Sequence, residues 1–191
     1  MTRDDILMAA AQVFNQKGYH AASMQDIANT VHLQKASLYH HVSSKQEILL
    51  ELLDRALELL IKRLQKVVDQ ADLPEQKLRG AIRTYLETLA EFQDLAAVLI
   101  LEHRSLPPEL NEVHIPRRDR FERLWRDLIC EGKDAGIFNC TDPALASRAL
   151  LGVLNWTITW YRPDGPLTAT EIADQFADLF LKGLMVRNGI A

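Results

Sequence analysis

The chain has 191 residues, 48% of them hydrophobic and 25% charged, with a net charge of −4. That is an ordinary globular balance, sized for one domain or a small domain joined to a larger one, and it excludes disorder and low complexity. The longest unbroken apolar run, Leu95–Leu101, is far short of the roughly 20 residues that span a bilayer. No signal-peptide core precedes the first helix, and Cys130 and Cys140 lack the CxxC spacing of a zinc site, so a cytoplasmic chain with reduced thiols, no metal, no cofactor and no membrane partner is expected.

Helical periodicity recurs from end to end and strand-type alternation does not persist, so the expected fold is all-α with about nine helices. Ile6, Ala10, Val13 and Phe14 share one face of a first helix, which Gly18 ends in a left-handed conformation. Ser23 and Asp26 form a capping-box-like start for a short second helix burying Ile27, Ala28 and Val31. A third short helix is expected from Lys35 to His41, burying Ala36 and Leu38. Ser44 with Glu47 is read as a capping box opening a long helix from Lys45 to about Gln70, with Ile48, Leu49, Leu52, Leu53, Ala56, Leu59, Leu60 and Leu64 inward. Helices follow over about 75–92 and 95–105, then an irregular or partly helical link over 106–116. Pro116 is placed at the first turn of a helix reaching Gly132 or Gly136. Asp142-Pro143 opens a helix to Trp160 or Tyr161. Thr168 with Glu171 opens the last one, to about Val186.

The second and third helices, joined by a tight turn, have the layout of a helix-turn-helix over residues 23–45. The apolar face of the second braces the third, whose outward residues Gln34, Lys35, Ser37 and His40 can reach base edges or phosphate in a major groove. Tyr39 and His41 are placed for backbone oxygens. Lys45, at the start of the next helix, combines a cation with a helix N-terminus, both favourable to phosphate. Charge is distributed to match: residues 1–45 carry four basic and three acidic residues and four of the six histidines, while the remainder carries 18 basic and 23 acidic residues. The basic excess of the head is small, so DNA affinity would need a dimer.

The stretch SMQDIANTVHLQKASLYHHVSSKQEILLELL resembles the DNA-binding domain of TetR-family regulators. The carrying residues are Gly18-Tyr19 after the first helix, Ile27-Ala28 in the second, Leu38-Tyr39-His40-His41-Val42, and Ser44-Lys45 three residues before Ile48. Three positions depart from the family pattern: His32 stands for the turn glycine, Gln34 for the helix-capping Ser or Thr, and Val42 for Phe. The resemblance implies a DNA-binding domain over residues 1–46 and a helical effector-binding and dimerisation domain over 47–191. It further implies a homodimeric regulator, usually a repressor, that reads a palindromic double-stranded operator and is released by a small hydrophobic effector. Half-site centres would lie on the order of 34–36 Å apart or above.

Within that resemblance, the last two helices supply the dimer bundle, and their apolar residues, among them Leu145, Leu150, Leu154, Ile172, Phe176 and Leu184, lie on more than one face. The segment from Leu150 to Leu184 resembles members that respond to fatty acyl-CoA or related CoA thioesters. A CoA thioester needs an apolar channel and cations for its phosphates. The candidate effector residues are His103, Arg104, Arg148, Asn155, Trp156, Trp160 and Arg162, with Arg117, Arg118 and Arg120 as further cations. Trp156 and Trp160 serve equally well as core or interface anchors on this reading.

Two other classes are weighed. An all-helical enzyme lacks support: there is no HExxH, nucleophile elbow or glycine-rich phosphate loop, and Glu102-His103 is an acid–base pair without an orienting third group. A protein-binding adaptor without DNA affinity is the other alternative. The expectation is a regulator, not an enzyme.

Overall fold

In the computed structural model, which describes residues 2–185, helices begin where short polar side chains meet their own backbone. Asp26 N–H donates to Ser23 Oγ at 3.1 Å, and Ser23 N–H donates back to Asp26 at 2.9 Å. The same reciprocal box forms at Thr168 with Glu171, and at Thr2 with Asp5. Asp142 accepts from the amides of Ala144 and Leu145, with Pro143 in the first turn. The Ser44 box closes only halfway: Glu47 N–H donates to Ser44 Oγ at 3.1 Å, but the Glu47 carboxylate takes the amide of Ser43 rather than that of Ser44.

Nine α-helices occupy the described residues: α1 Arg3–Lys17, α2 Met24–Thr30, α3 Lys35–Leu38, α4 Lys45–Val68, α5 Pro74–Glu91, α6 Gln93–Leu101, α7 Pro108–Asp134, α8 Pro143–Trp156 and α9 Ala169–Leu184. 3₁₀ turns follow α6 and α8. The all-α class and helix number agree with the sequence reading. The expected end at Val186 lies outside the described residues.

Three boundaries differ. α3 stops at Leu38 rather than His41, and Ala36 is exposed, because one turn of helix lays only Leu38 and the following Val42 on the core. α6 ends at Leu101, before the 3₁₀ turn His103–Ser105. The expected link over 106–116 is helical: Pro108 opens α7, and Pro116 lies inside it. Proline in a helix interior removes one backbone hydrogen bond and costs about 3 kcal/mol or more. Pro116 is exposed, and its neighbours fasten the turn to α4: His114 Nδ1 lies 3.0 Å from Asp54 Oδ1 and Arg117 3.0 Å from Asp54 Oδ2.

Packing divides the chain into two compact units. The first comprises the residues up to Leu59 together with Phe92–Arg118. Its core joins Ile6, Leu7 and Phe14 of α1, Ile27 and Ala28 of α2, Leu38, the first turns of α4 and Leu95 and Val98 of α6. The second comprises Leu60–Glu91 and the residues from Asp119 onward. There α5 packs on α9, and Tyr85, Phe121 and Trp125 form an aromatic cluster with Tyr85 and Trp125 edge to face at 5.7 Å. Within this unit Gly132 leaves no room for a side chain, since a Cβ there would fall 2.1 Å from the ring of buried Phe138. No helix among the described residues is long and apolar enough to cross a membrane.

Candidate nucleic-acid interface

A four-residue helix has no stability of its own, so α3 exists because other elements hold it. Leu38 is fully buried and Val42 nearly so, each contributing on the order of 1.5–3 kcal/mol by burial. The turn into α3 is made at His32, whose φ of 54° is the left-handed region that glycine favours. Leu33 N–H then donates to Ala28 O at 2.9 Å, closing the end of α2. Gln34 stands at the N-cap of α3 without any side-chain capping bond. Its amide is therefore not consumed by the helix it precedes.

The outward face carries Gln34, Lys35, Tyr39 and His40, all exposed, with Ser37 and His41 half-buried beside them. Tyr39 is 48% exposed, unusual for a large aromatic ring on so small a unit. The cations of the head are less available than their number suggests. Arg3 pairs with Glu51 at 2.6 Å and donates to the carbonyl of His41. Lys17 pairs with Asp26 at 2.5 Å. Lys45 donates to the carbonyls of Tyr19 at 2.8 Å, Ala22 at 2.7 Å and His20 at 3.4 Å. Among the described residues of the head, Lys35 is the basic side chain with no hydrogen bond or ion pair. Lys17, followed by Ser23, holds the Asp26 carboxyl well below the usual carboxylate range.

The loop between α1 and α2 is fixed from a second side. Tyr19 N–H donates to Glu102 Oε1 at 3.0 Å, and Ser105 Oγ donates to Glu102 Oε2 at 3.1 Å. Glu102 is thus engaged with backbone and hydroxyl, while His103 directs Nδ1 to Ile100 O at 3.1 Å. The two do not form the acid–base pair considered from sequence. Burial lowers the His103 pKa, which disfavours the cationic form of its ring. Sequence reading missed Glu102 as a brace and His114 as a buried polar group; the contacts that give them these places, Tyr19 to Glu102 and Asp54 to His114, join residues distant in the chain.

The seven candidate effector residues are divided between the units: His103 and Arg104 in the first, the other five in the second. Asn155 is partly buried and accepts from Tyr85 Oη at 2.5 Å, within the aromatic cluster. Burial pushes the Tyr85 hydroxyl up, so it remains a donor. Trp156 and Trp160 are 66% and 43% exposed. Arg162 is exposed, and Arg148 lines a polar groove between α7 and α8. An apolar cavity beside α5 and α9, lined by Leu86, Leu89, Ile158, Tyr161 and Ile172, measures about 10 Å³, room for about one water.

Known proteins share this architecture. Residues 6–52 match the model of bacterial regulatory proteins of the tetR family, and residues 71–184 match the tetracyclin repressor-like C-terminal domain. The chain belongs to the TetR family.

This TetR-family chain is 30% identical over 184 residues to the HTH-type transcriptional repressor KstR2 of Mycobacterium tuberculosis (strain CDC 1551 / Oshkosh), covering 95% of this chain and 92% of that protein. It is similar to the TetR family transcriptional regulator PfmR from Thermus thermophilus, with 41% identity, a TM-score of 0.86, and coverage of 93% and 97%. It is also similar to AibR in complex with isovaleryl coenzyme A and operator DNA, with 26% identity, a TM-score of 0.84, and coverage of 96% and 97%. As a TetR-family protein it is a DNA-binding transcriptional regulator, with α2 and α3 as its helix-turn-helix.

Proposed function

We propose that the protein is a homodimeric repressor that reads a palindromic operator through α3 and is released by a hydrophobic effector, a CoA thioester. The observation that carries the DNA reading is the exposed face of α3, where Gln34, Lys35, Tyr39 and His40 project from a turn whose apolar side is fully buried. Gln34 and Lys35 read base edges; Ser37, Tyr39, His40 and His41 position the head on the sugar–phosphate backbone. Lys45 serves the interface indirectly, by fixing the loop before α2.

The dimer reading rests on α8. Leu145, Ala149, Gly152, Val153 and Trp156 are all exposed and recur at helical spacing on one side, while Leu150, Leu151 and Leu154 fill the core behind them. Leu145 is 63% exposed, and Leu179 of α9 64%. A contiguous apolar stripe of this kind marks a surface that is covered in the working protein, and a two-fold copy of the same stripe supplies the cover. In this arrangement residues 1–46 act as the reading head and 47–191 as the effector-binding and dimerising body. α4 runs without a break from the head into the second unit. An effector that favours a shifted α4 separates the two heads from successive grooves and lowers affinity by the ratio of its own affinities for the two states.

The effector class is supported by the isovaleryl coenzyme A complex of AibR, whose fold this chain shares. The test is direct. Operators are selected from random duplex DNA with the purified full-length protein, and acyl-CoA thioesters of increasing length are titrated into the complex. Selection of a palindrome, and release by an acyl-CoA but not by the free acid, is the expected result. Absence of any preferred duplex overturns the DNA reading; a selected operator that no acyl-CoA releases overturns the effector reading.

A further inference from the structure

Six arginines, Arg3, Arg55, Arg63, Arg79, Arg83 and Arg117, each hold a carboxylate at 3.0 Å or less. Among the described residues, five arginines of the second unit are in no ion pair so close, and three of them lie together. Arg123 and Arg126 of α7 and Arg148 of α8 line one groove of about 260 Å³, and the nearest carboxylate to any of them in an ion pair is Asp127, 3.7 Å from Arg126. Converging guanidiniums without close counter-ions repel one another and favour a ligand bearing concentrated negative charge, phosphate above all, which accepts their forked donors. The groove is not a plain anion trap. Asp119 and Glu122, each already engaged in an interaction of its own, line it too, as does Leu151. Carboxylates repel a bare phosphate, but their further lone pairs accept from hydroxyls and exocyclic amines, and an apolar side chain favours a flat base.

From this combination we infer that the groove between α7 and α8 binds a phosphorylated nucleoside, its phosphates on Arg123, Arg126 and Arg148 and its ribose or base donors on Asp119 and Glu122. The volume is below the roughly 300–1,000 Å³ of a site that engulfs a drug-sized ligand, so it accepts a head group and leaves any attached chain outside. The same chemistry arises from a free nucleotide or from the nucleotide end of a CoA thioester; the second source rests on the effector reading above.

The test is titration calorimetry on the full-length protein with ADP, adenosine 3′,5′-bisphosphate, CoA and inorganic pyrophosphate. The wild type is compared with Arg123→Gln/Arg126→Gln/Arg148→Gln and with Glu122→Gln. The nucleotides are expected to bind more tightly than pyrophosphate, the triple variant to lose at least tenfold for all of them, and Glu122→Gln to narrow the gap between ADP and pyrophosphate. Single Arg→Gln variants give the same direction if the triple variant does not fold. CoA binding more tightly than ADP and the bisphosphate assigns the groove to the thioester; equal binding assigns it to free nucleotides. No nucleotide binding, equal binding by the arginine variants, or pyrophosphate binding as tightly as ADP would overturn the proposal. The two readings separate cleanly: an acyl-CoA that releases operator equally from wild type and triple variant removes the groove and leaves the effector, whereas ADP binding without release by any acyl-CoA does the reverse.

Discussion

The ammonium of Lys45 lies 4.4 Å above the centre of the Tyr19 ring and donates to the carbonyl of the same residue at 2.8 Å. One side chain at the start of α4 thereby fixes both the ring and the backbone of the loop that leads into the DNA-reading helices. Lys45→Ala removes charge-assisted bonds to carbonyls that then lose their partner, at a cost of about 1.5–3 kcal/mol. The expected outcome is a lower unfolding midpoint together with weaker binding to every duplex alike. Chemical denaturation and competition binding measure the two; a variant with wild-type stability but reduced operator affinity would instead make Lys45 a direct phosphate contact.

Lys35 is exposed and, among the described residues of the head, is the basic side chain with no hydrogen bond or ion pair, which makes it the cation proposed to meet DNA. Removing one phosphate or base-edge contact per protomer lowers the slope of log affinity against log salt by about 1, hence by about 2 in a dimer. Lys35→Ala is expected to show that drop and to relax base preference at one position of each half-site. Titrations over a series of salt concentrations decide it, and an unchanged slope would show that Lys35 does not meet DNA.

Asp26 ties Lys17 to the start of α2. Its folded pKa is depressed, chiefly by Lys17, below an unfolded value of about 3.9. The stabilisation is therefore complete above about pH 5 and is lost as pH falls through the folded value. Asp26→Asn should lower the thermal midpoint at neutral pH, and the difference from wild type should shrink steadily below about pH 4. A difference that grows with acidity contradicts the assignment.

Gly132 faces the ring of Phe138 so closely that an added Cβ would lie 2.1–2.8 Å from three ring atoms. Gly132→Ala should destabilise by about 1–3 kcal/mol, as overpacking does, despite alanine's better helix propensity. In a Phe138→Leu background the penalty should fall, giving a non-additive cycle. Additive effects would place the strain elsewhere.

At Gly152 the opposite holds: a Cβ there meets nothing within 4 Å in its own chain. Gly152→Glu should leave the protomer's helix content unchanged or improved and yet shift the protein from dimer toward monomer in sedimentation velocity. A dimer undisturbed by that charge removes α8 from the interface.

Much of this was legible in the sequence because it is local. Ser23 with Asp26 and Thr168 with Glu171 are three residues apart, and capping chemistry acts over one turn. Gly18 and His32 announced positive φ, and both have it. The burial of Ile27, Ala28, Val31 and Leu38 followed from period alone. The continuity of α7 through Pro116 did not, because the contacts that fasten this turn, His114 and Arg117 to Asp54, come from residues far apart in the chain.

Sequence by itself determined the helical class, the helix-turn-helix and the exposure of Gln34, Lys35 and His40 on and beside α3, since amphipathic spacing and caps are written in consecutive positions. Only the tertiary structure decided which charges remain for a partner. Arg3, Lys17 and Lys45 look as basic in the chain as Lys35, yet folding brings Glu51, Asp26 and three backbone carbonyls to the first three and, among the described residues, brings none to the fourth. Arg123, Arg126 and Arg148 likewise became one groove only when α7 and α8 lay side by side. A cation's availability depends on what lies within a few ångströms of it, and that distance is set by the fold.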